Sequence, residues 1–232
     1  MESLAHLHVE TVGEGPLVLF THGGGDQADG WRAQIEALAP QGFRCRSWDL
    51  RGHGSSHSPD DPAYYSRELA LEDIGALLAG EAAVLVGHSL GGYLSMAYTL
   101  RHPDRVRALV LVATGPGFRD QTGRDAWNRR ADKSMPAMGR PAASAGILRQ
   151  HDSWVIDNLS EIRCPVLQVV GEKDEMFLRS TNYMATKLPG PVTTVVVAGA
   201  GHQVHARSKA GEVATAISEF LAALALHPGA VN

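Results

Sequence analysis

"LVGHSLGGYL", Leu85 to Leu94, is the stretch whose reading decides the fold. An apolar run, Ala82 to Val86, stops at Gly87, and a serine follows at position 89 with further glycines at 91 and 92. Tyr93, Leu94, Met96, Ala97 and Leu100 then recur at helical spacing. The pattern is a buried strand, a sharp turn and a buried helix. A turn that tight strains the serine backbone and admits only small neighbours, because larger side chains would collide with the adjoining strand and helix. Gly87-His88-Ser89-Leu90-Gly91 fits G-x-S-x-G in the strand–turn–helix context that gives this pentapeptide its meaning. The hydroxyl stands at a helix N-terminus, where free N–H groups and the dipole favour developing negative charge.

Outward from the elbow, short apolar runs recur at about Leu4–Val12, Leu17–Thr21, Phe43–Asp49, Ala82–Gly87, Val106–Ala113, Val166–Gly171 and Val192–Ala198. Most are continuous rather than alternating, which predicts strands buried on both faces. Helical patterns fill most gaps, marked by Trp31 to Ala39, Leu69 to Leu78, the segment from Ser89 to Pro103, and Val213 to Leu221. This alternation predicts an α/β protein: a mostly parallel central sheet of about seven strands flanked by helices. From Gly115 to about Ser160 there is no strand pattern, and the stretch is too long for a plain loop. It is expected to form a small lid of two or three short helices. The domain reading is a core of residues 1–114 and 161–232 with a lid insertion at 115–160.

Composition bounds the function. The 232 residues suit one well-packed domain, and a net charge of −4 gives no reason to expect nucleic acid as a partner. The apolar runs are strand-sized, so no membrane insertion is expected, and the N-terminal "MESLAHLHVE" lacks a secretory pattern. Cys45 and Cys164 make neither a disulfide framework nor a zinc pattern, which suits a cytoplasmic protein. The histidines lack H-x-x-x-H spacing and no G-K-[ST] follows the glycine loop, so no metal and no cofactor is expected.

A serine needs a base. Among the 11 histidines, His202 follows the last strand through a glycine-rich turn, and Gly199 and Gly201 give its loop freedom to reach across. His205 is its rival. Asp174, three residues beyond the strand that ends at Gly171, is the carboxylate placed to orient that base. The chain order is nucleophile, acid, base: Ser89, Asp174, His202.

Those residues carry a resemblance to the α/β-hydrolase superfamily, in its esterase, lactonase and haloperoxidase-like branch. "THGGGDQADGW" resembles the family's oxyanion loop, "DLRGHGSS" the loop after the next strand, "GHSLGG" the elbow, "CPVLQVVGEKD" the acid-bearing strand and "GAGH" the histidine loop. The resemblance implies an oxyanion hole from the backbone N–H groups of Gly24 and Leu90. It implies a serine hydrolase of esterase type, acting on a carboxylic ester or lactone through an acyl-enzyme. Carbon–carbon bond hydrolysis, perhydrolysis and slow-turnover ligand sensing are the alternatives. His88, Trp127, Trp154, Met176 and Phe177 are candidate substrate contacts, and together they predict a small, largely apolar substrate. His22 and His53 are expected to brace loops, Asp26 to cap the next helix in preference to meeting substrate, and Asp49 to be structural.

Overall fold

A computed structural model of the chain describes residues 4–224. A 3₁₀ turn, Leu4–His6, leads into β1 (Val9–Val12) and β2 (Leu17–Thr21). Then come α1 (Arg32–Leu38), β3 (Arg44–Trp48), α2 (Arg67–Leu78), β4 (Ala83–His88), α3 (Leu90–Arg101) and β5 (Val106–Val112). Three helices follow without a strand: α4 (Gln121–Ala137), α5 (Ala145–Leu148) and α6 (Trp154–Asp157). The chain closes with β6 (Val166–Gly171), α7 (Glu175–Ala185), β7 (Val192–Val197) and α8 (Ala210–Ala223).

The strands form one seven-stranded sheet in the order β1-β3-β2-β4-β5-β6-β7. Only β1 runs antiparallel, against β3; every other pairing is parallel. Because side chains alternate across a strand, each central strand feeds two cores. Leu17, Leu19, Leu85, Leu109 and Leu111 pack with α2 and α3 on one face. Val18, Phe20, Val84, Val86, Val110 and Val112 pack with α1 and α8 on the other. The two-sided burial explains the continuous apolar runs of β2, β4 and β5. The edges differ: β1 exposes three of its four residues and β7 three of its six. The first strand is also shorter than its apolar run, since Leu4–His6 turns instead.

The segment between β5 and β6 departs from the expected short helices, because α4 runs for 17 residues. The Asp120 side chain caps its start by accepting from Gly123 N–H at 2.7 Å. Pro136 falls in the last turn, where it ends the helix rather than breaking it. The helix α7, which no apolar pattern announced, presents a narrow buried stripe of Phe177, Thr181 and Met184. Cys45 and Cys164 are free thiols, and burial pushes them up to about 12 and about 11.

Candidate active site

Ser89 joins β4 to α3 with φ 50° and ψ −112°, a left-handed backbone that side chains disfavour. Three contacts hold it there. Its N–H donates to Val112 O at 2.9 Å, and its carbonyl accepts from Thr114 Oγ1 at 2.6 Å and from Tyr93 N–H at 3.2 Å. The glycines are a steric requirement. A Cβ on Gly87 would fall onto the Gly91 carbonyl group, one on Gly91 onto Thr21 O, and one on Gly92 within 2.6 Å of Thr114 Cγ2.

Asp174 sits in the turn between β6 and α7, and His202 in the turns between β7 and α8. The Asp174 Oδ2 lies 2.7 Å from His202 Nδ1, so that nitrogen carries the proton and donates it to the carboxylate. The carboxylate is 9% exposed and the imidazole 38%, so the pair is dry on one side and open on the other. The Phe177 ring stacks on the imidazole at 4.8 Å and 18°. His88, next to the serine, donates from Nε2 to His202 O at 3.0 Å and so ties the histidine loop to the elbow. The structure therefore joins Asp174 to His202 directly and sets His202 against the residue preceding Ser89. Among the described residues, no hydrogen bond engages the Ser89 hydroxyl.

A cleft of about 540 Å³, open mouth included, begins at Ser89. Leu90, Thr114, Phe118, Trp127, Met176 and Phe177 are among its walls. Trp127, Met176, Phe177 and Leu90 are thus where the sequence led one to look. Trp154 and His88 are corrections, since neither lines the cleft. The Trp154 ring lies under the guanidinium groups of Arg67 and Arg101, at 5.6 and 5.3 Å, an environment that an isolated apolar residue does not announce. His88 is buried behind the elbow, and burial holds it neutral, well below the usual histidine range. Sequence reasoning missed Thr114, Phe118 and Gln150. Thr114 carried a usable signal, because it is the second residue past a strand end on the same rim as Ser89.

Gly24 lies on the loop after β2, beneath Leu148 and Met135 of the inserted helices; a Cβ there would stand 3.0 and 3.5 Å from them. The adjacent Gly23 approaches the nucleophile, its virtual Cβ being 3.2 Å from Ser89 Cβ. His22 braces this loop as expected. Its Nδ1 donates to Gly23 O at 2.7 Å and its Nε2 accepts from Leu50 N–H at 2.9 Å. Burial keeps it neutral, down to about 3. His53 likewise donates to Arg51 O at 3.0 Å, and burial lowers it to about 4. Asp49 is structural: its carboxylate accepts from Ala28 N–H at 2.7 Å and from Ser55 N–H at 2.8 Å. That contact corrects the expectation for Asp26, because the helical turn starting at Ala28 is capped by Asp49 from another loop. Asp26 instead points one oxygen at His205, 3.4 Å away.

Comparison with known proteins agrees with this architecture. A sequence profile described as "alpha/beta hydrolase fold" matches residues 16–155. Epoxide hydrolase 2 of Siraitia grosvenorii is 37% identical over 108 residues, 45% of this chain and 34% of that protein. The pimeloyl-[acyl-carrier protein] methyl ester esterase of Nitrosomonas europaea is 39% identical over 115 residues, 50% of this chain and 44% of that protein. The matches thus span about a third to under half of these relatives' length. A thermophilic esterase from Thermogutta terrifontis superposes with a TM-score of 0.82 at 24% identity, covering 94% of this chain and 93% of that one. The enol-lactonase from Burkholderia xenovorans LB400 does so with a TM-score of 0.76 at 21% identity, covering 93% and 96%. With more than half its length matched by the profile and the sheet, elbow and helices in the corresponding order, the chain belongs to the alpha/beta hydrolase fold family.

Proposed function

We propose that this protein is a serine hydrolase that cleaves a carboxylic ester or lactone of a small, largely apolar substrate through an acyl-enzyme. The observation that carries this reading is the 2.7 Å hydrogen bond from His202 Nδ1 to Asp174, which leaves Nε2 as the basic nitrogen on the imidazole. His202 takes the Ser89 proton as the serine oxygen attacks the carbonyl carbon. Asp174 stabilises the imidazolium that forms. The N–H groups of Leu90 and Gly24 receive the developing oxyanion, each worth about 3 kcal/mol to the transition state. His202 then protonates the leaving alcohol, and a water activated by the same nitrogen releases the acid. The apolar walls given by Trp127, Phe118 and Phe177 favour an uncharged acyl group. The helices α4 to α6 act as the lid over it.

Epoxide hydrolases stand among the relatives, and chemistry separates the two readings. A carboxylate opening an epoxide forms an ester that water can cleave. A serine would form an ether, which an activated water does not cleave, and residue 89 is serine. A panel of p-nitrophenyl esters, lactones and styrene oxide, assayed with the wild type and Ser89→Ala, tests the assignment. Ester or lactone turnover that falls by about 10⁴-fold or more in the variant is the expected result. Epoxide turnover without ester turnover, or an active Ser89→Ala, overturns it.

A further inference from the structure

Behind the elbow, outside the cleft's lining, three side chains from three separate loops converge. His88 ends β4, Asp26 follows β2, and His205 lies three residues past His202. One donor atom from each lies within 4.8 Å of the others. Both imidazoles are fully buried, and the Asp26 side chain is 18% exposed.

Hydrogen-bond accounting leaves this cluster unfinished. His88 spends Nε2–H on His202 O, so its Nδ1 is a bare lone pair, and nothing donates to it. Asp26 spends Oδ1 on Gln27 N–H at 3.0 Å and leaves Oδ2 without a hydrogen bond. His205 Nε2 meets Asp26 Oδ2 only at 3.4 Å, and His205 Nδ1 makes no hydrogen bond. Buried polar atoms without partners destabilise a fold, so packing alone is a poor account of His88 Nδ1 and His205 Nδ1 in one cluster. His88 Nδ1 holds a free electron pair, and Asp26 and His205 share only their long 3.4 Å contact.

We propose that Asp26, His88 and His205 form a binding site for one divalent first-row transition-metal cation. Two imidazoles and a carboxylate make a borderline donor set that suits zinc, iron(II) or cobalt(II) rather than calcium or magnesium. The surroundings are those of a ligand histidine. His88 donates its other ring N–H to a backbone carbonyl, which fixes the tautomer and aims the lone pair. His205 is held from its backbone, where its carbonyl accepts from Gln34 Nε2 at 3.0 Å. Gly30 keeps space open beside the donors, since a Cβ there would stand 3.3 Å from both Asp26 Oδ2 and His205 Nε2. A surface hollow lined by Asp29, Gly30, Arg32 and His205 lies beside the cluster. Zinc bonds of about 2.1 Å set donors about 3.3 Å apart, so the widest spacing must close by about 1.5 Å. Asp26 Oδ2 and His205 Nε2, 3.4 Å apart, already have the donor spacing that zinc sets. The site joins the loops that carry Gly24, Ser89 and His202, so a bound cation cross-links the three. Its existence does not depend on the serine chemistry.

The test uses the untagged full chain, stripped with chelator and titrated with zinc by calorimetry and with cobalt(II) by visible absorbance. One equivalent binds, cobalt gives the ligand-field bands of a low-coordinate site, and the Trp31 indole, 4.4 Å from the His205 ring, is quenched. Asp26→Asn keeps the shape of the carboxylate and weakens zinc binding by about a hundredfold or more, and His205→Gln does the same. Circular dichroism confirms that each variant is folded, and Asp26→Asn alone suffices if His205→Gln is not. No stoichiometric binding overturns the proposal, as does binding that folded Asp26→Asn retains at wild-type strength.

Discussion

The Thr114 hydroxyl holds the peptide of Ser89, donating a 2.6 Å hydrogen bond to its carbonyl oxygen from the end of the neighbouring strand β5. Both residues lie at carboxyl ends of parallel strands, so one buried side chain fixes the serine's orientation from outside its own turn. Thr114→Val keeps the shape and removes the donor. The expected loss is about 1 kcal/mol, a fall in melting temperature of about 2–4 °C, together with lower kcat at nearly unchanged KM. A variant with wild-type melting and turnover would show that the turn is held without Thr114.

The serine's backbone is itself a liability to the fold. A non-glycine residue at φ 50°, ψ −112° carries about 1–3 kcal/mol of strain, whereas a glycine there gives back only about 0.5–1 kcal/mol in chain entropy. Strain wins, so Ser89→Gly melts above Ser89→Ala by a few degrees while both are inactive. Differential scanning calorimetry of the two variants decides it, and equal melting temperatures would remove the strain argument.

Asp174→Asn tests the orienting carboxylate. The Asp174 side chain makes no capping bond to α7, so stability changes little. An amide can present its N–H to His202 Nδ1 and reverse the tautomer, leaving the wrong nitrogen basic. The expected fall in kcat is about 10⁴-fold, with KM nearly constant. Steady-state kinetics on the best ester of the panel measures it.

Acid should loosen the inserted helices through Asp152. The carboxylate receives Arg67 Nη1 and Nη2 at 2.9 and 2.8 Å, and this pairing holds it below the usual carboxylate value. A depressed folded value means stability that is present above the unfolded value and lost as pH falls through the folded one. With an unfolded value near 3.9, the contribution is intact at pH 5 and disappears below about pH 4. The Asp152 side chain is 43% exposed, so solvent screens part of the gain. Thermal melts of wild type and Asp152→Asn should therefore differ at pH 7 and converge toward pH 3. A gap that stays constant across that range would place the stabilisation elsewhere.

What the chain announces in advance follows from distance along it. The elbow was legible because β4, Ser89 and α3 are contiguous, so the strand, the turn glycines and the helix stand in one short pattern. The pairing of Asp174 with His202 was legible because each sits at a strand's carboxyl end, where a parallel sheet gathers its loops. The length of α4 was hidden because its many charged residues and Pro136 mask a one-sided packing stripe of Ala131 and Met135. Asp26 was misread because Asp49, 21 residues from the N–H it serves, took the capping role. Trp154 was misread because the two arginines that cover it come from α2 and α3. The misreadings of Asp26 and Trp154 are both side-chain contacts between segments that no local pattern links.

The distribution of sulfur in this molecule has a practical consequence. Both thiols stay protonated at neutral pH, so alkylating agents find no thiolate to attack. Among the described residues the exposed methionines are Met138 and Met176, the latter on the cleft wall. An oxidant therefore meets the cleft before it meets either cysteine, and a sulfoxide at Met176 turns an apolar wall polar without disturbing the folded core.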